Sequence, residues 1–174
     1  MRPLRCVSWA LMVALLGFAV ATYPGLPGEI PVHLDASGDP TRFEVTTPMS
    51  WFALSGITLL TFGALQVVSM MLPKRPHLFN FPDKDRFLAL PAEYRSPVIV
   101  EMQVVLEVCT ILTLLTLWMV QLLMWRKAMG ADAGLLEVAP FFGFLVAPVV
   151  LALLTRVSSA TDREERRWKA RVDA

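Results

Sequence analysis

The sequence predicts an all-α integral membrane protein, a four-helix bundle with a proline-rich extracytoplasmic loop. Three observations carry this. The 174 residues are 55% hydrophobic with a mean hydropathy of +0.54, outside the range of soluble domains. Apart from Glu101 and Glu107, the 18% that are charged lie in connections and at the ends. Val108 to Trp125 carries no charge at all, and a run of about 18 such residues is long enough to cross a bilayer. The net charge of +1 leaves no bulk electrostatic basis for nucleic-acid binding.

The first helix is expected over 6–23. Arg2 and Arg5 precede an uncharged run from Cys6 to Tyr23. That pattern fits a signal peptide with Ala19-Val20-Ala21 as its cleavage site, or a retained span. Ala10, Ala14, Gly17 and Ala21 share one face at small-xxx-small spacing, which suits close helix packing and favours the retained span. Cys6 and Cys109 read as small apolar fillers rather than a disulfide or a metal pair.

The outer loop, 24–47, holds Pro24, Pro27, Pro31 and Pro40 with Gly25, Gly28 and Gly38, which exclude a long helix. Strand character at Ile30–Leu34 and Arg42–Thr46 gives a hairpin across the Ser37-Gly38-Asp39-Pro40 turn. Thr47-Pro48 then starts the second helix, 49–72, with an N-cap and a first-turn proline. Gly56 and Gly63 share one of its faces, and Ser55, Thr58, Gln66 and Ser69 form a polar stripe on another.

An inner loop, 73–95, carries aromatic and basic residues of interfacial character. Ser96 and Pro97 mark the start of the third helix, 97–125. At roughly 100° per residue its Gln103, Glu107, Thr110 and Gln121 fall in one narrow stripe, expected to face the stripe of the second helix. The last helix is expected over 138–156, with Pro140 in its first turn, a kink at Pro148 and a packing face at Gly143 and Ala147. The tail, 157–174, is a mixed-charge helix end or a disordered segment.

Orientation follows from the 16 Lys and Arg residues. With both termini cytoplasmic, only Arg42, Arg126 and Lys127 face outward, and the other thirteen stay inside. The chain is therefore expected in a plasma membrane with loop 24–47 outside.

Leu26-Pro27-Gly28-Glu29-Ile30-Pro31-Val32-His33, followed by Gly38-Asp39-Pro40 and Phe43, resembles a bacterial membrane domain of unknown function. That domain also forms the N-terminal part of SdpI-type immunity proteins. Its pattern runs Leu-Pro, then Ile/Val-Pro-x-His-Trp-Asn, then Gly-x-Pro and an aromatic. Leu34 stands here for the Trp and Asp35 for the Asn. Asn80-Phe81-Pro82 and Phe87-Leu88-Ala89 are similar to connections in these relatives. The resemblance implies a bacterial inner-membrane protein that senses a peptide toxin outside and holds a small repressor at the membrane. The further multi-helix region of the SdpI proteins has no counterpart in it.

The candidate recognition loop is thus Pro27, Pro31, His33, Asp35, Gly38, Asp39, Pro40 and Phe43. His33 either binds and responds to pH or only hydrogen-bonds within the loop. No calcium or zinc spacing accompanies it, so neither metal nor cofactor is expected. The candidate intramembrane set is Gln66, Gln103, Glu107, Thr110 and Gln121. It reads as interhelical glue, with Glu107 near the cytoplasmic edge paired to an inner-loop arginine, or as the lining of a path. No nucleophile elbow, phosphate loop or zinc-hydrolase helix appears, so the chain is read as non-enzymatic. The expected partners are the lipid bilayer, a peptide or envelope ligand outside and a cytoplasmic protein. The alternative is a small transporter or an accessory subunit of a membrane complex.

Overall fold

A computed structural model describes residues 2–35, 38–131 and 142–173. The chain folds into helix α1 (Arg2–Thr22), a hairpin of β1 (Glu29–Leu34) and β2 (Pro40–Val45), α2 (Pro48–Met71), a short α3 (Lys84–Ala89), α4 (Ala92–Ala128) and α5 (Phe142–Val172). The fold is mostly helical, and the hairpin makes it more than the all-α class expected. Three stretches, Pro3–Gly25, Pro48–Met71 and Ala92–Ala128, are long and apolar enough to cross a membrane.

Contacts fix the relative directions. Arg5 meets Glu107 near one end of α1 and Phe18 stacks on Trp125 near the other, so α1 and α4 run parallel. Ser55 meets Gln121 and Gln66 meets Glu107, so α2 runs against them. Arg156 pairs with Glu101 and Arg171 with Glu93, which sets α5 antiparallel to α4.

Polar residues face inward on α2, where Ser55, Thr58, Gln66 and Ser69 are buried beside Trp51 and Phe62, while Ile57, Leu60, Val67 and Met70 point outward. This inverts a soluble helix and suits a lipid surround, which cannot reward burial of apolar groups but penalises exposed polar ones. The small-residue faces do not pack as expected: Ala10, Ala14, Gly17 and Ala21 of α1 and Gly56 and Gly63 of α2 are exposed, with nothing close to the glycines.

The start of α2 is local chemistry. Thr47 accepts from the Ser50 amide at 3.1 Å and Ser50 Oγ accepts from the Thr47 amide at 2.9 Å, a reciprocal cap. At the far end of α4, Gly130 (φ 66) turns left-handed, and the Gly130 and Ala131 amides donate to Lys127 and Arg126 carbonyls. This is a Schellman ending.

Several boundaries differ from expectation: α1 already starts at Arg2 rather than 6, and α4 runs on to Ala128 rather than 125. Helix α4 begins at Ala92, not Pro97, with Pro91 before it and Pro97 inside. Arg95 donates to the Leu90 carbonyl at 2.7 Å and the Leu88 carbonyl at 2.6 Å. That clamp holds the added first turn against the end of α3. Helix α5 does not stop at 156 but continues through the tail to Val172, where its charges dock on α4 and on the inner connection. Among the described residues its apolar part runs from Phe142 to Thr155, and residues 138–141 of the expected fourth span lie outside them. The Pro140 first turn, the Gly143 and Ala147 face and the Pro148 kink fall outside the described residues and side chains. Between α2 and α4, Leu72, Phe87, Val98, Met102 and Val105 pack with Val157 and Ala160 of α5 into an inner core.

Candidate functional site

Two places gather chemistry, one at each end of the spans. At the end of the spans where α1 stops and α2 starts, the hairpin folds back over α2 and α4. Antiparallel pairing runs from Glu29↔Val45 to Leu34↔Pro40, with irregular register around His33. Pro31 brings no amide to the ladder, which a two-stranded sheet tolerates. The turn is closed by the Gly38 amide donating to the Asp35 carbonyl at 3.0 Å and the Asp39 amide to Asp35 Oδ1 at 3.0 Å. Gly38 has φ 84, a left-handed conformation that glycine adopts without strain. Ser37 of the expected turn, and Ala36 before it, lie outside the described residues.

A cleft of about 530 Å³ separates this hairpin from the helices. His33, Asp35 and Glu44 line it on the hairpin side, and Met49, Ala53, Leu54, Ile57, Val120 and Met124 line it on the helix side, where Met49 and Ile57 stay largely exposed. Of the candidate loop, the fold therefore brings only His33 and Asp35 into the cleft. Asp39 instead pairs with Lys127 at 3.2 Å, tying the turn to the end of α4. Phe43 is 54% exposed, and Pro31 is buried opposite it in the ladder. Pro27 accepts from Thr46 Oγ1 through its carbonyl, Gly38 shapes the turn and Pro40 pairs with Leu34.

Towards the opposite end of the spans, Glu107 is 1% exposed. Its Oε1 accepts from Arg5 Nε at 3.3 Å and from Gln66 Nε2 at 3.3 Å, and its Oε2 accepts from Ser8 Oγ at 3.0 Å. Arg5 also reaches Ser69 Oγ at 3.4 Å, and Gln103 Nε2 donates to the Ser69 carbonyl at 2.8 Å. The partner of Glu107 is thus Arg5 of α1, not an inner-loop arginine, because α1 and α4 run side by side. A carboxylate out of water needs both a countercharge and filled lone pairs, and these neighbours supply them.

Towards the hairpin the same stripe is less well served. Thr110 turns back to its own helix, donating to the Leu106 carbonyl at 2.8 Å. Gln121, fully buried, accepts from Ser55 Oγ at 3.5 Å while its Nε2 has no partner, and neither has Trp118 Nε1. The two polar stripes do face each other, at three levels.

The sequence reading missed Arg5, Ser8 and the cleft residues Val120 and Met124. Arg5 and Ser8 stand three apart on α1, a helical-face signal visible in retrospect. Nothing local marks Val120 or Met124 among many apolar neighbours. Among the described residues, no three His, Cys, Asp or Glu side chains converge as a metal site.

No curated protein and no solved structure matches this chain. Residues 10–63 match the family model of a domain of unknown function, DUF1648. The hairpin, most of α1 and the first two-thirds of α2 are therefore the part of this membrane-type chain that is similar to a DUF1648 domain.

Proposed function

We propose that this protein sits in a bacterial inner membrane and recognises a peptide or other amphiphilic envelope component from outside, without enzymatic chemistry. The occupied cleft would pass its state to the inner loop and tail, where a cytoplasmic partner is held. The carrying observation is the cleft itself. Charged and polar groups from His33, Asp35 and Glu44 stand across from an apolar helix side where the spans end, a combination that fits an amphiphile. The match of residues 10–63 and the resemblance to SdpI-type proteins support an immunity role against a membrane-active peptide. The bias of Lys and Arg supports cytoplasmic termini. The apolar half of α5, antiparallel to α4, is assigned the fourth crossing of the bundle.

The test is survival of cells under a membrane-active amphipathic peptide, with and without the protein. His33→Ala and Ala53→Trp, the latter filling the cleft, are expected to abolish protection while membrane insertion stays normal. Protection untouched by both variants overturns recognition. The buried carboxylate favours a second reading, a small transporter lined by the polar stripes. Activity lost in Glu107→Gln and Gln121→Leu but kept in His33→Ala would select it.

A further inference from the structure

We propose that the inner side of the protein binds one glycerophospholipid with an ammonium-bearing, zwitterionic headgroup, in an apolar and a polar cavity that meet at Asn80 and Phe81. The apolar cavity, about 230 Å³, lies between Val68 and Leu72 of α2, Val105 and Leu106 of α4, and Leu154 and Val157 of α5. Its depth is set by its neighbours. Glu107 lies one residue beyond Leu106, and Arg156, paired with Glu101 at 3.6 Å, stands between the two α5 wall residues. An open-sided apolar groove at that level borders hydrocarbon on one side and the headgroup layer on the other, which suits an acyl chain.

The polar cavity, about 460 Å³, is lined by Asn80, Phe81, Asp83, Lys84, Asp85 and Arg86. Some of its charges are already spent. Arg86 is held by Asp162 and Glu165, and Asp83 takes a hydrogen bond from Ser158 and pairs with Arg86. Lys84 and Asp85 make no ion pair among the described residues. What remains is one cation and one carboxylate, adjacent in the chain, beside the Asn80 amide. Lys84 and Asn80 match a phosphate, and Asp85 matches an ammonium group. A headgroup with a phosphate but no ammonium would leave Asp85 facing a like charge. The pocket is also held in place, because Arg86 fastens α3 to α5 and Asp83 takes a left-handed turn (φ 57) just before Lys84.

Native mass spectrometry of the full chain released from vesicles of equal parts phosphatidylethanolamine and phosphatidylglycerol reads the bound lipid directly. One phosphatidylethanolamine is expected to be retained in preference. Lys84→Glu should lower its retention about twofold to fivefold, the range of one exposed ion pair. Asp85→Ala should erase the preference, and Leu106→Trp, which fills the apolar cavity, should abolish retention. Equal retention of both lipids by the unaltered protein overturns the proposal, as does retention indifferent to Lys84→Glu. Should Leu106→Trp fail to insert, the two loop variants, on the surface of the inner connection, decide alone.

Discussion

Glu107 shows how much of a membrane fold can rest on one side chain. Its carboxylate joins α1, α2 and α4 through Arg5, Ser8 and Gln66. Arg5→Ala strands that charge, which costs up to about 3–5 kcal/mol for a fully buried pair, and less here because Arg5 is 38% exposed. The double variant Arg5→Ala/Glu107→Gln should recover part of the loss in reversible unfolding from mixed micelles. A double variant no better than the single one would refute the pairing. Gln121 is the opposite case. Its unpartnered Nε2 and its long bond to Ser55 predict that Gln121→Leu is neutral or stabilising by about 1 kcal/mol in the same assay. Both residues were legible as members of one stripe, since periodicity alone puts them on a face. Their unequal satisfaction was not, because it depends on which residues α1 brings alongside.

Among the elements, the hairpin and the cap of α2 were written in short motifs, Gly38-Asp39-Pro40 and Thr47-Pro48, while the expected end of α4 at 125 fell short of the Gly130 turn. Gly38→Ala, forced to φ 84, should loosen the turn by about 1 kcal/mol or more, read as faster amide exchange in β1 and β2. The first turn of α4 was hidden by a stronger local signal, Ser96-Pro97, which only the Arg95 clamp on the Leu88 and Leu90 carbonyls overrides. The helical tail depends on charge partners distant in sequence. Hydrogen bonds from Lys169 first and Arg86 second hold the Glu165 carboxyl down to about 2, from an ordinary 4.5. A carboxyl lowered on folding stabilises fully above its ordinary value. The docking of α5 on α3 should therefore persist down to about pH 4.5 and fade as the pH falls towards about 2. Spin-label distances between α3 and the tail should lengthen across that window, and more so at high salt.

For the whole molecule, the three long apolar runs were plain from composition, and the counts of Lys and Arg support the proposed sidedness. The cleft was not visible, because one side comes from the hairpin and the other from α2 and α4, brought together only by folding. A cysteine at His33 should react with an impermeant thiol reagent on intact cells, and one at Asp85 only after permeabilisation, with Cys6 and Cys109 replaced first. Reversal of that pattern would invert the orientation and remove the outside ligand.

Helix α4 has 37 residues, roughly 55 Å of rod in a hydrocarbon layer of about 30 Å. It overhangs the bilayer, gripped by the hairpin at Lys127 and by the tail at Glu93 and Glu101. The bonds at Glu107 make a fulcrum between those grips. With some 20 residues on the outer arm and 14 on the inner, tilting this lever swings its two tips in opposite senses, the outer one about one and a half times as far. A guest that wedges the hairpin away from Val120 and Met124 would thus lean on the far tip, shifting the Phe18–Trp125 and Ser55–Gln121 contacts along the longer arm. Paired spin labels at the two ends, moving in opposite directions or not at all, would tell.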